Sequence, residues 1–185
     1  MKIPPPPRGL PRHLRAWYVI VAAIVSAIVT ATAPMCPVTD GRGRPAWRVE
    51  AVNDGDTVTC LDTDGRRVRI RLLGIDAPEL DQPGGPASRK ALATKLAGGV
   101  VRVVGDARDQ HGRLLGTLFV DDRDLNRELV VEGWAWAFGG FVDDEDLVAA
   151  ESAARRGGRG LWADPHPVSP ATWREQHPSH TLQRR

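Results

Sequence analysis

Asp54-Gly55-Asp56-Thr57-Val58-Thr59-Cys60-Leu61-Asp62-Thr63-Asp64-Gly65-Arg66-Arg67-Val68-Arg69-Ile70-Arg71-Leu72-Leu73-Gly74-Ile75-Asp76-Ala77-Pro78-Glu79 reads as two strands joined by a tight turn. Residues 58–61 and 66–73 are rich in strand-forming side chains, and the Asp-Gly pair at 64–65 favours a hairpin between them. Closing that hairpin makes the Asp56 and Asp76 carboxylates neighbours, with Arg71 and Glu79 at hand. Like charges so placed repel unless a proton or a cation intervenes. The cluster is therefore either a solvated rim or a site for an ion and an anionic substrate, and the hairpin alone leaves both open.

Upstream, 47–52 alternates apolar and polar residues as a half-buried strand does, and it leads straight into Asp54. Residues 34–45 lack periodicity and read as a linker. Residues 16–33 carry no charge and run from Trp17 and Tyr18 into a Val/Ile/Ala series, behind a basic, Pro-rich stretch at 1–15. This is expected to be a membrane-targeting helix with its basic flank in the cytoplasm. It would be an uncleaved signal anchor, or a signal peptide cut after Ala31-Thr32-Ala33; Pro34 directly after that triplet favours the anchor. On both readings the rest of the chain is extracytoplasmic, membrane-anchored or secreted.

Downstream, Pro78 ends the ladder, because proline lacks the N–H to continue it. Residues 86–97 read as a helix with its apolar face at 92, 93, 96 and 97, stopped by Gly98-Gly99. A fourth strand at 100–104 and a fifth at 113–120 follow, with the turn Asp109-Gln110-His111-Gly112 delivering Arg113. Helices are expected at 125–132 and from Asp143 through Arg156, and the aromatic stretch 134–141 reads as a wall. From Pro165 onward the chain is rich in Pro, His and Arg and is expected to be disordered. Five strands and about three helices without a βαβ repeat predict a small barrel with helical cover.

A chain of 185 residues, 42% hydrophobic and 26% charged, fits one globular domain with appendages. The formal net charge is +2, but the first 33 residues carry Lys2, Arg8, Arg12 and Arg15 with no acid, which leaves −2 on the remainder. That weakens any reading with a broad polyelectrolyte grip on nucleic acid and leaves room for local positive charge inside a cleft. Cys36 and Cys60 lie in no zinc-ligand spacing. A disulfide between them is open to an extracytoplasmic chain; the alternative is a small buried thiol and an unremarkable second one.

Taken in order, Asp54-Gly55-Asp56-Thr57, Ile70 through Glu79, Asp109-Gln110-His111-Gly112-Arg113 and Arg159-Gly160-Leu161-Trp162 resemble the staphylococcal nuclease (thermonuclease) family over about residues 46–164. The resemblance implies an OB-type five-stranded barrel with three helices and a hydrolase that cleaves DNA, preferably single-stranded, and RNA as an endonuclease, leaving 3′-phosphate ends. It implies a calcium ion (Ca2+) on Asp56, Asp76 and the carbonyl of Ala77, with Asp54 supporting that set from outside. Arg71 and Arg113 would flank the reacting phosphate and Glu79 would act as general base. No protein partner is implied, and a monomer is expected.

The family's nuclease prototype carries Lys-Tyr where Gln110-His111 stand, and tyrosines near the base-binding wall where this chain offers Trp136, Phe138 and Phe141. His111 and these three aromatics are thus the candidate substrate wall. A second function class, a non-catalytic OB-type module that binds nucleic acid or protein at the cell surface, predicts loss of the acidic and arginine residues; here they are all present.

Overall fold

In the computed structural model, which describes Pro11, Ile20, Val21 and residues 38–138 and 144–178, the hairpin forms in the expected place. Trp47–Val52 (β1), Thr57–Leu61 (β2) and Arg67–Leu72 (β3) make an antiparallel meander, with Thr57 opposite Arg71 and Leu61 opposite Arg67. The sequence period of two sorts β3 cleanly: Val68, Ile70 and Leu72 are buried while Arg67 and Arg69 are exposed. Each of those apolar side chains contributes about 1.5–3 kcal/mol on full burial. A one-residue slip of register would turn the arginines into the core, so the pattern pins the register.

Ile75–Asp76 (β4) follows the hairpin, then Gly85–Lys95 (α1), Val100–Val104 (β5), Leu114–Val120 (β6) and Arg123–Asp124 (β7). Leu125–Val131 (α2), Trp136–Ala137 (β8), Glu145–Arg156 (α3), a 3₁₀ turn at Gly160–Ala163 and Pro170–Gln176 (α4) complete the order. The sheet runs β3-β2-β1-β5-β6-β7, and a parallel pairing of β3 with β6 closes its first five strands into a barrel. This is an OB-like barrel, with four helices among the described residues. Val58, Ile70, Leu72, Leu92, Leu118, Leu125 and Leu129 form its core.

The helices follow from local signals. Asp124 caps α2 by accepting from Arg127 N, and Asp144 caps α3 by accepting from Asp146 N and Leu147 N. In α1 the buried stripe is Ser88, Leu92 and, just past its end, Leu96; Ala93 and Ala97 of the expected face are exposed. Asn126 on α2 is 3% exposed and ties three pieces together. Its amide donates to Leu73 O at 2.9 Å and Gly116 O at 3.2 Å, and its carbonyl accepts from Leu118 N.

Three turns share one construction. In Asp40–Arg44, Asp62–Arg66 and Asp109–Arg113 the aspartate Oδ1 accepts the backbone N–H groups two and four residues on. The glycine at the fourth position takes φ of 75°, 77° and 74° respectively. Asp-x-x-Gly-Arg thus encodes a tight turn with an aspartate bracing it from inside.

Two expectations need comment. Residues beyond 164 include an ordered helix, α4, where disorder was expected: Ser169 caps it, accepting from Thr172 N, and Pro170 fills its first turn. Residues 16–33, expected to target a membrane, lie outside the described residues apart from Ile20 and Val21, and so does Cys36. Among the described residues no helix is long and apolar enough to cross a membrane. Cys60 is a free, fully buried thiol on β2, and burial pushes its pKa up to about 12, with Glu50 adding to the rise.

Candidate active site

A cleft of about 1130 Å³ opens where β3, β4, the Asp109–Arg113 turn and α4 meet. The residues singled out from the sequence converge there: Asp54, Asp56, Arg71, Asp76, Ala77, Glu79, His111, Arg113 and Phe138 all line it. Topology brings the two arginines together. Parallel pairing sets Arg71 beside Leu115, and Arg113 stands two residues before Leu115, so both fall on one face by the strand period. Arg69, two residues before Arg71, lines the same wall.

Asp56 and Asp76 form the floor at 6% and 3% exposure. Asp56 Oδ2 accepts from Ala77 N at 2.6 Å, and Oδ1 accepts from Thr57 Oγ1 at 3.1 Å. Asp54 Oδ1 accepts from Asp56 N at 3.1 Å, which places Asp54 beside Asp56. Gly55 between them is packed so closely that an added Cβ would lie 2.1 Å from Ser88 Oγ and 2.7 Å from Ala77 Cβ. Only glycine lets this loop sit down on α1 and the Ala77 segment.

Arg71 is the internal counter-charge. Its Nη1 lies 3.1 Å from Asp56 Oδ2 and donates to Ile75 O at 2.8 Å, while Nη2 donates to Asp76 Oδ1 at 2.8 Å. Arg113 is braced by its own turn, Nε donating to Asp109 Oδ2 at 2.7 Å, and its side chain keeps 26% exposure toward the cleft. Burial pushes the Asp56 carboxyl up to about 7; Arg71 opposes that rise, and the charges of Asp54 and Asp76 add to it.

Glu79 hangs at the cleft edge, 20% exposed. Its backbone is clamped by Gln82, whose Oε1 accepts from Glu79 N at 3.1 Å and whose N donates to Glu79 O at 2.9 Å. Gly85 approaches the same carbonyl, leaving 1.8 Å to an added Cβ. The start of α1 therefore fixes where the glutamate points.

The wall differs from expectation. Phe138 and His111 line the cleft, but Trp136 does not. Its ring packs edge-on against Trp162, centroids 4.8 Å apart at 67°, in a second cluster with Ala154 and Leu161. Phe141 lies outside the described residues. In their place α4 supplies Trp173, Arg174 and His177, with the Trp173 and His177 rings stacked at 3.8 Å. Arg174 reaches across nearly a hundred positions of chain: Nη2 lies 2.8 Å from Asp76 Oδ2, and Nη1 lies 3.0 Å from Glu79 Oε1 and 3.3 Å from Asp76 Oδ1. Burial works against its charge, yet Asp76 and Glu79 outweigh burial and raise its pKa.

The donor set fits a hard divalent cation. Asp56, Asp76 and the Ala77 carbonyl are all oxygen donors, two of them buried anions side by side. Among the described residues no three side chains of His, Cys, Asp or Glu form a complete cage. Two carboxylates and one carbonyl would leave the other positions to water or a phosphate oxygen.

Comparison with known proteins gives the same direction. The family described as "Staphylococcal nuclease homologue" matches residues 69–164. An "Uncharacterized endonuclease" of Haemophilus influenzae is 36% identical over 135 residues, covering 73% of this chain and 76% of that protein. A second protein of that description, from Escherichia coli O157:H7, is 39% identical over 130 residues, covering 70% and 84%. A "Micrococcal nuclease" of Shigella flexneri is 34% identical over 146 residues, covering 70% and 83%. With matches of this extent, and an OB-like barrel, the chain belongs to the staphylococcal nuclease homologue family.

Proposed function

We propose that the chain is a calcium-dependent nuclease that hydrolyses phosphodiester bonds of DNA, single strands in preference, and of RNA, leaving 3′-phosphate ends. Hydrolytic nuclease activity accords with its family and with relatives named endonuclease and micrococcal nuclease. The observation that carries the reading is the closure of the barrel: pairing β3 with β6 sets two arginines on one wall, facing two buried carboxylates and Glu79.

Asp56, Asp76 and the Ala77 carbonyl would hold calcium, which when bound would neutralise the carboxylates and polarise a phosphoryl oxygen. Arg71 and Arg113 offer guanidinium N–H groups where negative charge builds on the pentacoordinate phosphorus. Glu79 takes the proton of the attacking water, a contribution of roughly 10²–10⁴-fold in rate. The water oxygen bonds to phosphorus, the bond from phosphorus to O5′ breaks, and the departing oxygen takes a proton from solvent. The phosphate stays on the 3′ side. Phe138, 37% exposed, offers a ring face to an unpaired base, which a duplex withholds.

The uncharged run at 16–33 behind a basic flank supports placing the nuclease outside the membrane, anchored or secreted. The test is incubation of the purified protein with single-stranded DNA and RNA, in calcium or in excess chelator, beside the Glu79→Gln variant. Calcium-dependent cleavage with 3′-phosphate products, slowed far more in turnover than in binding by Glu79→Gln, is expected. No calcium-dependent cleavage from neutral to alkaline pH would overturn the reading.

A further inference from the structure

Arg174 sits on the two groups whose freedom the proposed reaction requires. Both Asp76 oxygens lie within 3.3 Å of its guanidinium nitrogens, and Glu79 Oε1 lies 3.0 Å away. A carboxylate cannot offer the same lone pairs to a divalent cation and to a guanidinium fork at once. The Glu79 oxygen that Arg174 holds is likewise engaged in that contact.

The helix that carries Arg174 is held lightly. α4 has seven residues, capped by Ser169 and buried only at Pro170. Gln82, itself buried, tethers its approach by donating from Nε2 to Val168 O at 2.7 Å. Among the described residues the buried Trp173 indole N–H finds no acceptor. A seven-residue helix that docks through the Arg174 ion pairs is open to a competitor for the same carboxylates.

We propose that α4 is a built-in competitor of the metal: docked, Arg174 closes the site by occupying Asp76 and Glu79, and a divalent cation bound at Asp76 displaces the helix. This rests on the reading of Asp76 as a metal ligand. The consequence is a threshold: the chain turns on only where the cation is concentrated enough to outcompete its own arginine. If α4 is docked about 90% of the time, the apparent dissociation constant of the cation is raised about tenfold.

The experiment is calorimetric titration of the full chain with Ca2+, wild type against Arg174→Ala, with hydrogen exchange of residues 170–176 followed in the wild type. Arg174→Ala is expected to bind Ca2+ about tenfold more tightly. It should also cleave faster at low Ca2+. Added Ca2+ should speed amide exchange across α4. Ser169→Ala, which loosens the cap and leaves Arg174 in place, should move the affinity in the same direction by less. Equal or weaker Ca2+ binding by Arg174→Ala, or α4 exchange that Ca2+ leaves unchanged, overturns the competition alone. Absence of Ca2+ binding by both chains overturns the metal-site reading and this inference with it.

Discussion

The turns at Asp62–Arg66 and Asp109–Arg113 are the same object in two places. In each, aspartate Oδ1 accepts two backbone N–H groups, at 2.9 and 2.8 Å in the first and at 2.9 and 3.0 Å in the second. In each, the glycine N donates to the aspartate carbonyl, at 3.0 and 2.9 Å. Their arginines fare differently. Arg66 pairs with Asp64 in the open, its side chain 75% exposed, whereas Arg113 folds back on Asp109 in the cleft. The first turn joins antiparallel neighbours and so projects from a hairpin tip. The second precedes a strand that pairs parallel with β3, which lands its arginine on the cleft wall that Arg71 lines, two positions before the residue opposite Arg71. Local sequence makes the turn; barrel closure makes one copy of it part of a site.

The sharpest break of this pairing is in the arginines. Arg113→Ala should lower kcat by roughly 10²–10³-fold, the usual cost of removing one preorganised donor to a developing anion. Arg66→Ala should stay within about twofold of wild type, because an exposed ion pair adds little. The check is steady-state cleavage of one single-stranded oligonucleotide by both variants. Equal losses would mean that the hairpin tip also touches substrate, and equal indifference would remove Arg113 from the reaction.

The aspartates come next in size. Asp62→Ala and Asp109→Ala each lose two side-chain-to-backbone bonds, worth about 1 kcal/mol apiece at most. Denaturant midpoints should therefore fall by comparable amounts in both. Only Asp109→Ala also frees the Arg113 guanidinium from its brace, so its kcat should drop by roughly tenfold beyond any loss of folded protein. A kcat for Asp109→Ala equal to that of Asp62→Ala would show that Arg113 finds its position without help.

How much of this was legible beforehand divides along the same line. The strands, the hairpin and the polar residues in short motifs follow from period and turn chemistry, because a few neighbouring side chains decide them. The placement of Asp54, Asp56, Arg71, Asp76, Glu79 and Arg113 in one cleft needed family resemblance as well as the hairpin, since Arg113 reaches Arg71 only through barrel closure. Sequence cannot sort Trp136 from Phe138, because the stretch is aromatic throughout. The partner that claims Trp136, Trp162, lies on a distant 3₁₀ turn. The repeated Asp-x-x-Gly-Arg is legible in the sequence as a turn signal. α4 had a signal too, Ser169 before Pro170, but seven residues are too few for a helical period to stand out in Pro- and His-rich sequence. Its contact with Asp76 spans 98 positions, and nothing local encodes it.

The smallest effect lies on the strand between the two turns. Arg69 follows Arg66 and Arg67 along β3 and is exposed as they are, but Arg66 pairs with Asp64 and Arg67 with Glu50, while Arg69 lines the cleft wall. Successive same-face residues of a strand stand about 6.6–6.8 Å apart, so Arg69 sits one step along the wall from Arg71. A backbone phosphate beyond the reacting one would meet it there as an electrostatic contact rather than a catalytic one. Arg69→Ala should therefore raise KM by a few-fold without changing kcat. It should also flatten the dependence of log affinity on log salt by about 0.7, the release of counterions expected for one phosphate on a single strand. Arg67→Ala, with its guanidinium committed to Glu50 on the outer face, should leave both the slope and KM as they are. A slope unchanged in Arg69→Ala would confine phosphate recognition to Arg71 and Arg113.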